Sequence, residues 1–161
     1  MEWDRKLSQV IIVFIALGIV LVAYIAANPI SEKYTEFYVL GADGKAGNYP
    51  ANLTINETGN VTLGIVNHES QTVNYSVLLK VDNVTFWNEN FTLYDGQKKE
   101  IPLSFMFKER EFVNSNRGNN LSKNLIFPVS QKGQQKIEMF LYKLPDTQNI
   151  YRELFLNVSV K

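Results

Sequence analysis

From Val10 to Ala27 the chain reads VIIVFIALGIVLVAYIAA, an unbroken apolar run with no charge and one hydroxyl, on Tyr24. Eighteen helical residues at 1.5 Å each span about 27 Å, close to the hydrocarbon thickness of a bilayer. A buried soluble helix of this length would show a polar face, and none is present at any helical spacing. The pattern predicts a transmembrane helix over 10–27, ended at Asn28-Pro29, because proline cannot continue it and restrains the residue before it.

After the apolar run the period changes to two. Val61, Leu63 and Ile65 alternate with Thr62 and Gly64, Val73 to Leu79 alternate with Asn74, Ser76 and Lys80, and Leu154 to Val160 alternate with Asn157 and Ser159; these are half-buried strands. Further strands are predicted at Tyr34–Leu40, Val84–Leu93, Glu100–Phe107, Leu125–Val129 and Gln135–Leu144. Turn residues fall between them: Ala42-Asp43-Gly44, Thr58-Gly59-Asn60, Asp95-Gly96, Lys132-Gly133 and Pro145-Asp146-Thr147. Seven to nine short strands with this punctuation, and no helical pattern after Ala27, predict an all-β domain, an immunoglobulin-like antiparallel β-sandwich preceded by one transmembrane α-helix. A small barrel is the alternative.

The flanks of the helix suggest an orientation. Arg5 and Lys6 precede it, whereas Lys33 after it is accompanied by Glu32 and Glu36, so the positive-inside rule puts residues 1–9 in the cytoplasm as a short N-terminus. Residues 28–33 are then a linker and 34–161 an extracytoplasmic domain, with membrane lipid the partner of Val10 to Ala27. Ile25-Ala26-Ala27 is also an acceptable small-residue context for signal-peptide cleavage, but the apolar run exceeds the usual 7–15-residue signal core, which favours an uncleaved anchor. Ala23 and Ala27 form one small-xxx-small pair, a weak helix-packing signal.

Composition narrows the partners. With 161 residues and 45% hydrophobic content, the chain can build one ordinary core. Lys+Arg and Asp+Glu balance at 16 each, so no net positive field gathers phosphates and nucleic acid is not an expected partner. Cysteine is absent, which removes disulfides, thiol catalysis and cysteine metal sites together.

One chemical motif repeats. NLTINETGNVT, residues 52–62, places three N-x-[ST] acceptors for N-linked glycan within eleven residues, at Asn52, Asn56 and Asn60. The same sequon recurs at Asn74, Asn83, Asn90, Asn120 and Asn157, eight in all, against about two expected from composition. A polar sheet face also tends to read polar-x-polar, because second neighbours share a face. That alternative explains the threonines and leaves the asparagines unexplained, since asparagine is a poor strand former. In the clear strands the middle residue is apolar (Tyr75, Val84, Phe91, Val158), which turns the acceptor amide away from the core.

Several segments of the exported part resemble the archaeal membrane-protein family catalogued as domain of unknown function 1616. They are Tyr34-Thr35-Glu36-Phe37-Tyr38, Leu40-Gly41, Asn48-Tyr49-Pro50 and Gly64-Ile65-Val66-Asn67-His68-Glu69. The resemblance implies archaeal origin and an extracytoplasmic domain beside the membrane. Because the family has no assigned activity, it implies no catalytic residues. Many members carry more membrane helices than the single one expected here.

Residues able to do chemistry are sparse. His68 is the only histidine, which excludes a two-histidine metal site, and it reads as a polar residue of the turn Asn67 to Gln71. Asp43-Gly44 and Asp95-Gly96 lack the alternating oxygen ligands and closing glutamate of a calcium loop and read as turns. Glu109 and Glu111 sit beside Lys108 and Arg110, where local salt pairing is the simpler role, and there is no glycine-rich phosphate loop. No catalytic, metal or cofactor residues are assigned, and no enzyme is expected. Two features look made for contact. Lys108 to Asn124 is long, polar and Asn-rich, with Phe112 and Val113 as an apolar point, and structureless connections of this length are usually functional or disordered. Trp87, placed by alternation on the face of Asn83 and Thr85, is the second; the plainer role for it is packing against an adjacent strand. The expected function is a membrane-anchored extracytoplasmic interaction module. It would be an N-glycosylated accessory or structural subunit of an archaeal cell-envelope or membrane complex, with a protein partner in the envelope or membrane. A carbohydrate-binding module at the cell surface is the alternative.

Overall fold

The computed structural model describes residues 2–27, 32–109, 124–129 and 132–161. They form an apolar helix and, as a separate unit, a two-sheet sandwich. Helix α1 spans Glu2–Ala27, starting eight residues before the apolar run. The added residues are mostly good helix formers. Within it, Arg5–Ala27 is long and apolar enough to cross a membrane, and none of its most apolar stretch is buried inside the protein.

The strands are β1 (Tyr34–Leu40), β2 (Asn52–Leu53), β3 (Thr58–His68), β4 (Val73–Val81), β5 (Val84–Leu93), β6 (Lys98–Glu109), β7 (Asn124–Val129), β8 (Gly133–Lys143) and β9 (Arg152–Val160). One sheet has the order β1-β3-β6-β7, the other β2-β9-β8-β4-β5. The immunoglobulin-like sandwich expected from the alternation is therefore present. Two edge pairings, β2 with β9 and β6 with β7, are parallel rather than antiparallel. Strands paired in parallel in one sheet need a connection of a dozen or more residues.

The core lies where alternating side chains of the two sheets meet. Tyr75, Phe107, Phe127, Leu63, Ile65, Ile101 and Leu141 are fully buried there. Phe127 of β7 packs on Phe105 and Phe107 of β6 with ring centroids 5.8 and 5.5 Å away, and receives the edge of Phe86 from β5 at 4.9 Å. This aromatic contact fastens the edge strands of the two sheets together. Beside it, Lys99 of β6 reaches across to Glu89 of β5 at 2.7 Å and lies 4.7 Å above the Phe91 ring.

Candidate glycan-acceptor surface

The hairpin β4–β5 carries three sequons. Val81 pairs with Val84, so Asp82-Asn83 is a two-residue turn, and both residues have positive φ, 49° and 62°. Such a turn matches the twist of the flanking strands, and Asp and Asn tolerate its left-handed conformation better than other residues with a Cβ. Asn83 thus stands at the tip, with its hydroxyl partner Thr85 also exposed. Further along, Asn74 faces Thr92 and Ser76 faces Asn90 across the ladder, so each of these asparagines lies opposite the hydroxyl residue of the other sequon. Thr92 Oγ1 donates to Asn74 Oδ1 at 2.6 Å.

All seven acceptor asparagines among the described residues are exposed: Asn52, Asn56, Asn60, Asn74, Asn83, Asn90 and Asn157. Their hydroxyl partners are not equivalent. Thr85 and Thr92 are exposed, whereas Ser76 retains 4% of its surface, flanked by Asn90 on β5 and the nearly buried Tyr142 on β8. Asn56 sits at φ 68° in a turn whose Glu57 carboxylate accepts from the Thr54 backbone at 2.7 Å and from its hydroxyl at 2.9 Å. Asn60 Oδ1 accepts from Ser104 Oγ on β6 at 2.7 Å. Cross-strand hydroxyl partners of this kind supply a structural use for Asn-x-Thr patterning that strand alternation alone did not. Asn120, Phe112 and Val113 lie outside the described residues.

Trp87 does not keep the face assigned to it by alternation. The β4–β5 register shifts between Leu79 and Lys80: Leu79 pairs with Trp87 but Lys80 with Thr85. Phe86 is the extra, bulged residue, and a bulge inverts the face of everything beyond it. Trp87 therefore turns toward the core side, half-buried and packed against the core, while Asn88, Asn90 and Thr92 face outward. No sequence period announces a bulge between two bulky aromatics.

A polar network missed in the sequence ties one end of the sandwich. Glu69, 5% exposed, follows β3. Its Oε1 accepts from Lys143 Nζ at 2.6 Å, Thr35 Oγ1 at 2.7 Å and Tyr151 Oη at 2.9 Å, and Thr35 Oγ1 also bonds Tyr75 Oη at 2.7 Å. Burial pushes the Glu69 pKa up, but the hydrogen bonds from Lys143, Thr35 and Tyr151 outweigh it and hold the carboxyl below its ordinary value. Burial also pushes the Tyr75 phenol up to about 12. Lys143 lies 3.6 Å over the Tyr151 ring. Beneath the network, fully buried Asn67 donates from Nδ2 to the carbonyls of Gln71 and Leu93 and accepts at Oδ1 from the Glu69 backbone. Every polar group is matched, as a structural clasp requires. The only signal in the sequence was the pairing of two polar residues, Asn67 and Glu69, at core-facing positions.

His68 ends β3 instead of occupying the turn. It stacks on Tyr34 with centroids 4.7 Å apart and its Nε2 lies 3.0 Å from Glu36 Oε1. Asp43 accepts from the Lys45 backbone and from Asn48 within its own loop, and Asp95 accepts from the Ser70 backbone of the neighbouring β3–β4 turn, so both Asp carboxylates serve turn structure. Among the described residues no three His, Cys, Asp or Glu side chains converge in a way that would hold a metal ion.

Helix and sandwich together define a class: an immunoglobulin-like β-sandwich preceded by an apolar helix of membrane-spanning length, with exposed N-x-[ST] asparagines. Within that class, the chain belongs to the family described as Domain of unknown function (DUF1616), whose model matches residues 29–159. No curated protein matches it. Among solved structures it is similar to the CARDB domain of the PF1109 protein from Pyrococcus furiosus, crystallised in complex with di-metal ions, at 12% identity and TM-score 0.49, covering 80% of this chain and 89% of that one. It is similar also to a FixG-related protein from Vibrio parahaemolyticus at 12% identity and TM-score 0.43, covering 79% and 96%. A third similarity, to a beta-glucosidase from Listeria innocua, has 14% identity and TM-score 0.43 and spans 16% of that enzyme.

Proposed function

We propose that this chain is a single-pass membrane protein of an archaeal cell envelope, with its N-terminus in the cytoplasm and its sandwich displayed outside as an N-glycosylated interaction module. In this role it is an accessory or structural subunit of an envelope or membrane complex. The observation that carries the reading is the helix: Arg5–Ala27 buries none of its most apolar stretch within the protein, and apolar surface of that extent needs lipid or other helices to cover it. The exposed acceptor asparagines suit a surface reached by an extracytoplasmic transferase. Solubilising native membranes in mild detergent and purifying the full chain tests it. The chain should need detergent for extraction, begin near Met1 and co-elute in constant ratio with a membrane or envelope protein. Recovery in the soluble fraction with a mature N-terminus at Asn28 would replace the anchor with a cleaved signal.

A second reading, a carbohydrate-binding module, is favoured by Phe155. This side chain is 63% exposed on the outer face of the five-stranded sheet, with Lys136 Nζ 5.0 Å from its ring centroid, an arrangement able to stack on a sugar and hydrogen-bond its hydroxyls. Retention on polysaccharide that disappears in Phe155→Ala would favour it over the subunit role.

A further inference from the structure

All eight sequons share the N-x-[ST] form, five with Thr and three, at Asn74, Asn120 and Asn157, with Ser, and the fold separates them further. A transferase must reach two things in an acceptor: the asparagine amide, and the hydroxyl two residues on that defines the sequon. At Asn83 both are open, since Asn83 and Thr85 are exposed on a hairpin tip. At Asn90 both are open as well, and β5 is an edge strand, free on one side to be drawn into an enzyme groove. At Asn74 only the amide is exposed. Its hydroxyl residue Ser76 is 4% exposed between Asn90 and Tyr142, and β4 is hydrogen-bonded on both sides, to β5 and β8.

Resting on the glycoprotein reading above, we infer that the folded sandwich gates its own modification. The native chain accepts glycan at Asn83 and Asn90 and refuses it at Asn74, which is an acceptor only before β4 is enclosed. The donor is a lipid-phosphate-linked oligosaccharide. In the transfer the asparagine amide nitrogen bonds to the anomeric carbon, the anomeric C–O bond to the phosphate breaks, the lipid phosphate departs with the electron pair, and the amide proton passes to a base of the transferase. The bonds made and broken are the same at the three sites, and the one local difference, Ser76 at Asn74 where Asn83 and Asn90 have Thr85 and Thr92, is the same in the folded and the cleaved chain, so a comparison of those two states of Asn74 reads access. The hairpin itself is local in sequence and forms in about 1–10 μs, but Ser76 is covered only when β8, more than fifty residues further on, pairs with β4. Translation at about 5–20 residues per second leaves seconds between the two events. Asn74 is thus in competition with synthesis and folding, and Asn83 and Asn90 are not.

The test uses the full-length chain, made in a host without N-glycosylation, folded in detergent micelles and offered an oligosaccharyltransferase with its lipid-linked donor. Site-resolved glycopeptide mass spectrometry then reads each asparagine. Asn83 and Asn90 should gain glycan while Asn74 gains at least tenfold less. After tryptic cleavage of the same chain, which frees Asn74 from its sheet, transfer to Asn74 should rise at least tenfold over its value in the folded chain. Equal transfer to Asn74 and Asn90 on the folded chain would overturn the gate, as would continued refusal at Asn74 in the cleaved chain. Refusal by the folded chain at Asn83 and Asn90 overturns it too, and if native protein nonetheless carries glycans there, the glycoprotein reading survives alone. Protein from its native host with the bare sequence mass would instead remove the glycoprotein reading itself.

Discussion

At the residue scale, Glu69 concentrates the polar energetics of the domain. Three donors converge on one buried oxygen, and hydrogen bonds to a charged group contribute more than neutral ones. Glu69→Gln keeps the shape and removes the charge, so it should lower unfolding free energy by about 1.5–3 kcal/mol in chemical denaturation. The sign of the pH dependence follows from the lowered folded pKa. A carboxyl with a lower pKa folded than unfolded contributes stability above its ordinary titration range and loses it as pH falls through the folded value. Wild-type melting temperature should therefore drop on acidification below about pH 4, and the Gln variant should lose that component of the drop. The acceptor asparagines make a contrasting pair of changes. Asn83→Gln forces a left-handed φ of 62° on a residue that resists it and should cost about 1 kcal/mol, whereas Thr85→Val abolishes the same sequon within about 0.5 kcal/mol. The sequons were legible one by one because the motif is local. The closure of Asn74 was not, because Ser76 is buried in a strand whose partner there, Tyr142, lies sixty-six positions away and is identified by no local pattern.

At the element scale, strand periods were read closely wherever alternation was regular. Tyr34–Leu40 and Val84–Leu93 match β1 and β5 end to end. The pattern failed where geometry departs from period two or where an element is too short to have a period. The Phe86 bulge inverted the face of Trp87, and two-residue β2 has no alternation to detect. The start of α1 was placed late because polarity, which marks the edge of a membrane span, does not end a helix. The bulge also sets a prediction: a Trp87 packed on the core should cost about 2 kcal/mol on replacement by Ala, less than the ~3–5 kcal/mol of a fully buried aromatic. A Trp on an exposed contact face would change stability by no more than about 0.5 kcal/mol. Phe127, fully buried among Phe86, Phe105 and Phe107, should reach the upper range in Phe127→Ala, measured in the same denaturation series.

At the scale of the whole molecule, the sandwich was legible because burying two alternating faces leaves few architectures. Its parallel edge pairings were not, since strand order and direction depend on contacts far apart in sequence. The same distance explains why the Glu69 clasp, drawing on Thr35, Tyr75, Lys143 and Tyr151, stayed hidden until the loops were brought together. The proposed role requires the sandwich to lie outside the cell membrane, and the absence of cysteine makes that directly measurable. Gln148→Cys places a lone thiol on the exposed β8–β9 loop and alters no sequon. In intact cells a membrane-impermeant maleimide should label this variant fully, with no further gain after permeabilisation, while the same substitution at Ser8 should label only once the membrane is opened. Labelling of Gln148→Cys that requires permeabilisation would place the sandwich in the cytoplasm and contradict the account.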